Sequence, residues 1–149
     1  MRKAAMIMSL SLASAGCATF PSFPIIKQEK KVMNYVAPEV SLADSEKIAA
    51  DMARFLANQL PPARTTIGLS GSSSMFNEML VNELAWRGFG ISEGGSGDDE
   101  QVVQLRYFVT ILDTGIVVRM RYNAHVAGRF YQRGTPLLGG VYVVRGLDK

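Results

Sequence analysis

Few residues in this chain have the types and spacing that covalent or metal chemistry requires. His125 is the only histidine and Cys17 the only cysteine among 149 residues. A hydrolytic triad holds its histidine between a nucleophile and an acid. The candidate nucleophiles are Ser70, Ser72, Ser73 and Ser74. Gly68-Leu69-Ser70-Gly71-Ser72, however, lacks the glycine-x-serine-x-glycine order that exposes a serine on a strand-to-helix turn. His125 falls just after an expected turn, inside an expected strand, where a surface histidine is the simpler reading. The glycine-serine run before a helix could offer backbone amides to an anion. No lysine follows to complete a phosphate loop, so a turn with a helix cap accounts for it. One histidine and one cysteine are too few for a transition-metal cage. Asp98, Asp99 and Glu100 lack calcium-loop spacing and read as a solvated loop. The expectation is no catalytic site, no metal, no cofactor and no small-molecule substrate.

What chemistry there is sits at Cys17. Arg2 and Lys3 form a short positive start, and Ala4 to Ala15 follow as a run of apolar and small residues. That is the layout of an export signal. Twelve helical residues reach about 18 Å, short of the roughly 30 Å of a bilayer core. Ser14-Ala15-Gly16-Cys17 then resembles the lipobox of bacterial lipoproteins, whose cysteine is acylated on sulfur and becomes the first mature residue. Ser14 stands where that pattern usually has leucine. Ala13-Ser14-Ala15 also reads as an ordinary small-x-small cleavage site, which would release a soluble periplasmic protein. Each buried methylene contributes about 0.8 kcal/mol, so two or more acyl chains make a stable anchor where one does not. Ala18 is not the aspartate that resembles an inner-membrane retention signal. The resemblance therefore implies an outer-membrane anchor with the chain facing the periplasm.

The expected organisation is a signal peptide over residues 1–16, a lipidated cysteine with an extended tether over 17–40, and an α+β domain over 41–149. Of 16 basic and 13 acidic residues, two basic ones leave with the signal, so the mature chain is nearly neutral. Direct nucleic-acid binding is not expected from that balance. With one cysteine no internal disulfide is possible, and the domain must hold by packing. The tether carries Pro21, Pro24, Pro38 and the charge run Lys27-Gln28-Glu29-Lys30-Lys31. Extended, it reaches about 70 Å. Phe20, Phe23, Ile25 and Ile26 are unusual for a spacer and are candidates for docking on a partner, with lipid headgroups or the chain's own domain as alternatives.

Within the domain, Ser41 and Asp44 predict a helix cap. Ile48, Met52, Phe55, Leu56 and Leu60 share one helical face up to Pro61-Pro62. A short strand over Thr65 to Ser70 leads through a serine cap into a second helix, Met75 to Arg87. Its stripe is Phe76, Met79, Leu80 and Leu84, with Gly88 as C-cap. Phe89 to Ile91 reads as a second strand, parallel to the first across the helical crossover. After the glycine-rich acidic loop, Val103, Leu105, Tyr107, Val109 and Ile111 alternate as a half-buried strand. Ile116, Val118, Met120 and Tyr122 do the same, followed by His125 to Gln132 and a last strand near Val141 to Val144. The fold class is α+β: two helices packed on one face of a mixed, mostly antiparallel sheet of about five strands, a two-layer sandwich.

Arg119 and Arg121 project from one face of their strand, and Arg106 joins them from its neighbour. Such a patch is either the solvated face of an antiparallel sheet or a partner-binding surface for something acidic. Several stretches point to a family. They are Ala50-Asp51-Met52-Ala53-Arg54-Phe55-Leu56, Gln59-Leu60-Pro61-Pro62-Ala63-Arg64-Thr65-Thr66, Arg87-Gly88-Phe89-Gly90, Leu105-Arg106-Tyr107 and Arg129-Phe130-Tyr131. Together with the lipidated start, they resemble the TrbH conjugal-transfer lipoproteins. The resemblance implies a component of a mating-pair-formation apparatus, a type IV secretion system that moves plasmid DNA. Its partners would be other secretion-channel proteins, reached from a membrane anchor. It brings no catalytic residues. The alternative from the residues alone is a periplasm-facing lipoprotein that regulates a cell-wall enzyme by binding it.

Overall fold

Helix α1 spans Leu42–Gln59. The Ser41 Oγ accepts from the Asp44 amide at 3.1 Å and donates to the Asp44 carboxylate at 2.8 Å, satisfying an amide that the first turn leaves open. Ile48, Met52 and Leu56 are fully buried, with Phe55 and Leu60 at the margin of the same stripe. The helix stops where proline disfavours it: Leu60, before Pro61, is already extended. Helix α2, Met75–Trp86, starts on Ser74, whose Oγ accepts from the Asn77 amide at 3.3 Å. It closes at Gly88, whose φ of 91° suits glycine, with the Phe89 amide reaching back to the Leu84 carbonyl at 3.1 Å. Phe76, Leu80 and Leu84 are buried, while Trp86 is 80% exposed.

The computed structural model describes residues 34–70, 74–93, 102–134 and 137–146. Cys17, the tether residues Phe20, Phe23, Ile25 and Ile26, the serines Ser72 and Ser73, and Asp98, Asp99 and Glu100 lie outside them. The described strands are β1 (Tyr35–Val36), β2 (Thr66–Leu69), β3 (Gly90–Glu93), β4 (Val102–Leu112), β5 (Gly115–Tyr122), β6 (His125–Gln132), β7 (Leu138–Gly139) and β8 (Val143–Gly146). They form one sheet in the order β3-β2-β4-β5-β6-β7, with β1 added to β4 and β8 to β6. The strand β2 lies parallel to β3 and to β4, so α2 is the crossover between parallel neighbours. The strand β1 is also parallel to β4, while the pairings among β4, β5, β6, β7 and β8 are antiparallel. Eight strands are described, against about five expected for the sheet and six stretches that read as strands; the two beyond those, β1 and β7, are two residues each, too short for alternation to register.

The long strand β4 organises the sheet. On one edge it pairs with β2 through Val102 to Leu105, and further along with β1 at Phe108 and Val109. Asn34 bridges the handover. Its amide donates to the Ser70 carbonyl at 3.2 Å, and its carbonyl oxygen accepts from the Tyr107 amide at 2.9 Å. The Ala37 amide then donates to the Val109 carbonyl at 2.9 Å. Residues 34–40, which fall in the expected tether stretch, thus contribute a strand to the sheet.

Alternation assigns the two faces. Leu105, Tyr107, Val109, Ile116, Val118, Met120, Tyr122, Ala127 and Tyr131 are buried in one core with the stripes of both helices. Burial of each large apolar side chain in it is worth about 1.5–3 kcal/mol. The odd-numbered residues of β5 face the other way. There the Phe130 ring lies over Gly115: a Cβ at 115 would stand 2.2 Å from the ring and 2.4 Å from the Tyr131 carbonyl oxygen. The ring can swing aside but the backbone oxygen cannot. Gly115→Ala is therefore expected to destabilise the domain by about 1–3 kcal/mol, read as a lowered urea midpoint.

Candidate functional site

The face of the sheet opposite the helices gathers the arginines read from the sequence. Register places Arg106, Arg121, Val126 and Arg145 in one row across β4, β5, β6 and β8. The next row runs Tyr35, Phe108, Arg119, Gly128 and Val143. A third holds Thr110, Val117 and Phe130. Neighbours within a row are about 4.8 Å apart, and rows about 6.8 Å apart along the strands. The Tyr35 and Phe108 rings stack at 5.0 Å and 24°, and both remain half-exposed, as does Phe130. Gly128 carries no side chain, so Arg119 stands beside a gap. Arg106, Phe108, Arg119, Arg121 and Val126 line a shallow depression on this face.

Two features set this face apart. Arg106 and Arg121 are directly opposite on neighbouring strands, so like charges share one cross-strand position. The strands β4, β5, β6 and β8 contain no acidic residue at all. Among the described residues, neither Arg119 nor Arg121 meets a carboxylate. Arg145 joins the patch only through the pairing of β8 with β6. Arg129 does not join it, because it pairs with Val118 and faces the helices. Arg133 donates to the Glu39 carbonyl at 3.2 Å instead.

Behind the sheet lies a cluster that the sequence reading missed. The Asp51 side chain, on α1, is only 10% exposed. It accepts from Arg129 Nη1 at 2.5 Å, from the Tyr131 hydroxyl at 2.5 Å, from the Tyr142 hydroxyl at 3.1 Å, and from Arg54. The Arg129 guanidinium lies 5.1 Å from the Tyr131 ring and 4.8 Å from the Tyr142 ring, within cation–π range. Phe55 stacks on Tyr142 at 4.1 Å. Burial pushes the Asp51 pKa up. The hydrogen bonds from Tyr131, Arg54 and Tyr142 and the charge of Arg129 outweigh it, holding the carboxyl below its ordinary 3.8. Burial and the neighbouring acidic groups push both tyrosines well above their ordinary 10. An ionised carboxylate with this many donors makes a poor base, and phenols held protonated make poor nucleophiles. The arrangement clamps β6 and the Tyr142 segment to α1. Its signal was legible in part, since Asp51 sits on the buried stripe three residues after Ile48.

The other sequence candidates are dispersed. His125 is exposed at the start of β6 with its ring stacked on Tyr122 at 5.6 Å. Ser70 is buried at the end of β2, and Ser74 is a helix cap. Among the described residues no three His, Cys, Asp or Glu side chains gather as a metal site, and no helix is long and apolar enough to cross a membrane. The family model described as conjugal transfer protein TrbH matches residues 27–145. No curated protein and no solved structure matches the chain.

Proposed function

The chain belongs to the TrbH family of conjugal transfer proteins, and from that premise we propose that it is a lipid-anchored, non-catalytic brace of the conjugative channel. The family match, which covers the described strands up to Arg145 in the last one, carries the reading: the chain is a component of the conjugal transfer apparatus. The finer parts rest on the residues. Cys17 would be acylated and would hold residues 17 onward at the periplasmic side of the outer membrane, within a type IV secretion system. A tether leading to Asn34 would let the α+β domain reach partners away from the lipid. The side-chain chemistry supports a binding role over a catalytic one. Among the described residues, the buried carboxylate of Asp51 is held by neighbouring donors, and His125 leans on a tyrosine ring at the sheet's end.

Cys17→Ser in donor cells tests the anchor. Two acyl chains of about 14 or more methylenes each, at roughly 0.8 kcal/mol per methylene, account for essentially all membrane affinity of such a chain. The serine variant is therefore expected to leave the outer-membrane fraction for the soluble periplasmic one, with plasmid transfer falling steeply. Unchanged transfer with normal channel assembly would overturn the anchoring role.

A further inference from the structure

We propose that the open face of the sheet, centred on Arg119 and Arg121 and flanked by Phe108 and Phe130, docks an acidic, partly apolar surface of another protein subunit. The inference rests on the reading above, that the chain works inside a multi-protein apparatus. A sheet that opposes Arg106 to Arg121, with no acid on β4, β5, β6 or β8, departs from the usual mixed-charge solvated face. Such departures from local rules concentrate at functional surfaces. Carboxylates brought by a partner would complement Arg119 and Arg121, neither of which meets one among the described residues.

Composition decides what kind of partner. The cations of these four strands are all arginine, and they alternate with Tyr35, Phe108, Phe130, Val117, Val126 and Val143. Interface cores between proteins are enriched in aromatic residues and arginine and depleted in lysine. Binding energy there concentrates on arginine and large rings set in desolvated pockets. The shallow depression between Arg106, Phe108, Arg119, Arg121 and Val126 is open to a side chain from outside. A nucleic-acid strand would also use the rings and arginines, but it gains nothing from the valines set between them, and loss of an adduct on nuclease treatment would identify it. A second copy docked by two-fold symmetry would set arginine against arginine. Charge complementarity therefore selects a different, acidic protein.

The test uses the full chain in donor cells that make the whole apparatus. A benzophenone photocrosslinker is placed by Phe130→p-benzoylphenylalanine on the open face, and by Lys47→p-benzoylphenylalanine on the exposed side of α1 as control. The open-face probe is expected to join one other subunit of the apparatus through a peptide that carries Asp or Glu. Because opposed like charges cost several kcal/mol, Arg119→Glu with Arg121→Glu should lower that yield at least about tenfold. The control pattern and the abundance of the chain should not change. Changing the partner's crosslinked acids to lysine should restore the yield with the reversed face. An Arg119→Gln with Arg121→Gln pair, which adds no repulsion, should give an intermediate loss. A yield indifferent to these changes, an adduct removed by nuclease, an adduct with a second copy, or no adduct would each overturn the proposal. If transfer still depends on Cys17 in that case, the apparatus reading stands without the docking face. Deletion of the chain with no effect on transfer would overturn both.

Discussion

Asp51→Ala is expected to lower the stability of the domain by about 3–5 kcal/mol, the range for removing one partner of a buried ion pair. The loss comes from what the carboxylate leaves behind. Arg129, whose side chain is 17% exposed, would keep its charge between the Tyr131 and Tyr142 rings with no counter-ion. Both phenols would lose the acceptor they share. These partners come from β6 and from the segment leading into β8, so their attachment to α1 loosens together. Arg54 contributes little to the change, because a 65% exposed cation in a surface pair is worth about 0–1 kcal/mol. Urea unfolding at neutral pH should show a lower midpoint with an unchanged slope. A change under about 1 kcal/mol would mean that the cluster is incidental to the fold.

The same residue sets a pH dependence whose sign is fixed. The Asp51 carboxyl is held below its ordinary 3.8 in the fold. The unfolded chain therefore binds the proton more readily, and stability rises with pH through this region. The contribution is fully present above the unfolded value of 3.8 and is lost as pH falls through the folded one. Other carboxylates titrate equally in wild type and in Asp51→Asn, so the difference between the two isolates this group. The wild type should exceed Asp51→Asn in urea midpoint at neutral pH, and the gap should narrow at pH 3 and below. A gap that stays constant would show that Asp51 acts through shape rather than charge.

How much was legible depended on the length of the pattern. The strand His125–Gln132 matches its sequence reading, because the turn at Asn123-Ala124 fixes where it starts. Both helices were set by a serine at one end and a proline or glycine at the other. The two-residue strands had no period to display. Tyr35–Val36 pairs with β4 because of tertiary position alone, in a stretch whose prolines and charges look like a linker. The patch of Arg106, Arg119 and Arg121 could be read from alternation in adjacent strands. Adding Arg145 required knowing that β8 returns beside β6. The Asp51 cluster shows the limit most clearly. A carboxylate on a buried stripe needs a cation, and Arg129 alternates inward with Ala127 and Tyr131. Each signal is local, but their pairing spans 78 residues of sequence.

Asn34→Ala is expected to cost about 2–5 kcal/mol, although it deletes a small polar side chain from the very start of the described chain. A buried group that loses its hydrogen-bond partner costs about 1–3 kcal/mol, and this side chain serves two. Asn34 is buried; its amide holds the Ser70 carbonyl, where β2 ends, and its oxygen holds the Tyr107 amide, where β4 passes from one partner strand to the other. Alanine can do neither. Asp at this position would keep the acceptor for Tyr107 but would set a carboxylate against the Ser70 carbonyl, so it should rescue poorly. Amide exchange adds a readout that a general loss of packing would not give. Protection should fall first at Tyr107 and at Ala37, whose amide continues the β1 pairing onto Val109, while β5 and β6 keep theirs. Uniform loss across the sheet would show instead that Asn34 supports the core as a whole. If the local pattern holds, the seam at Asn34 couples the segment that carries β1 to the central strand of the sheet.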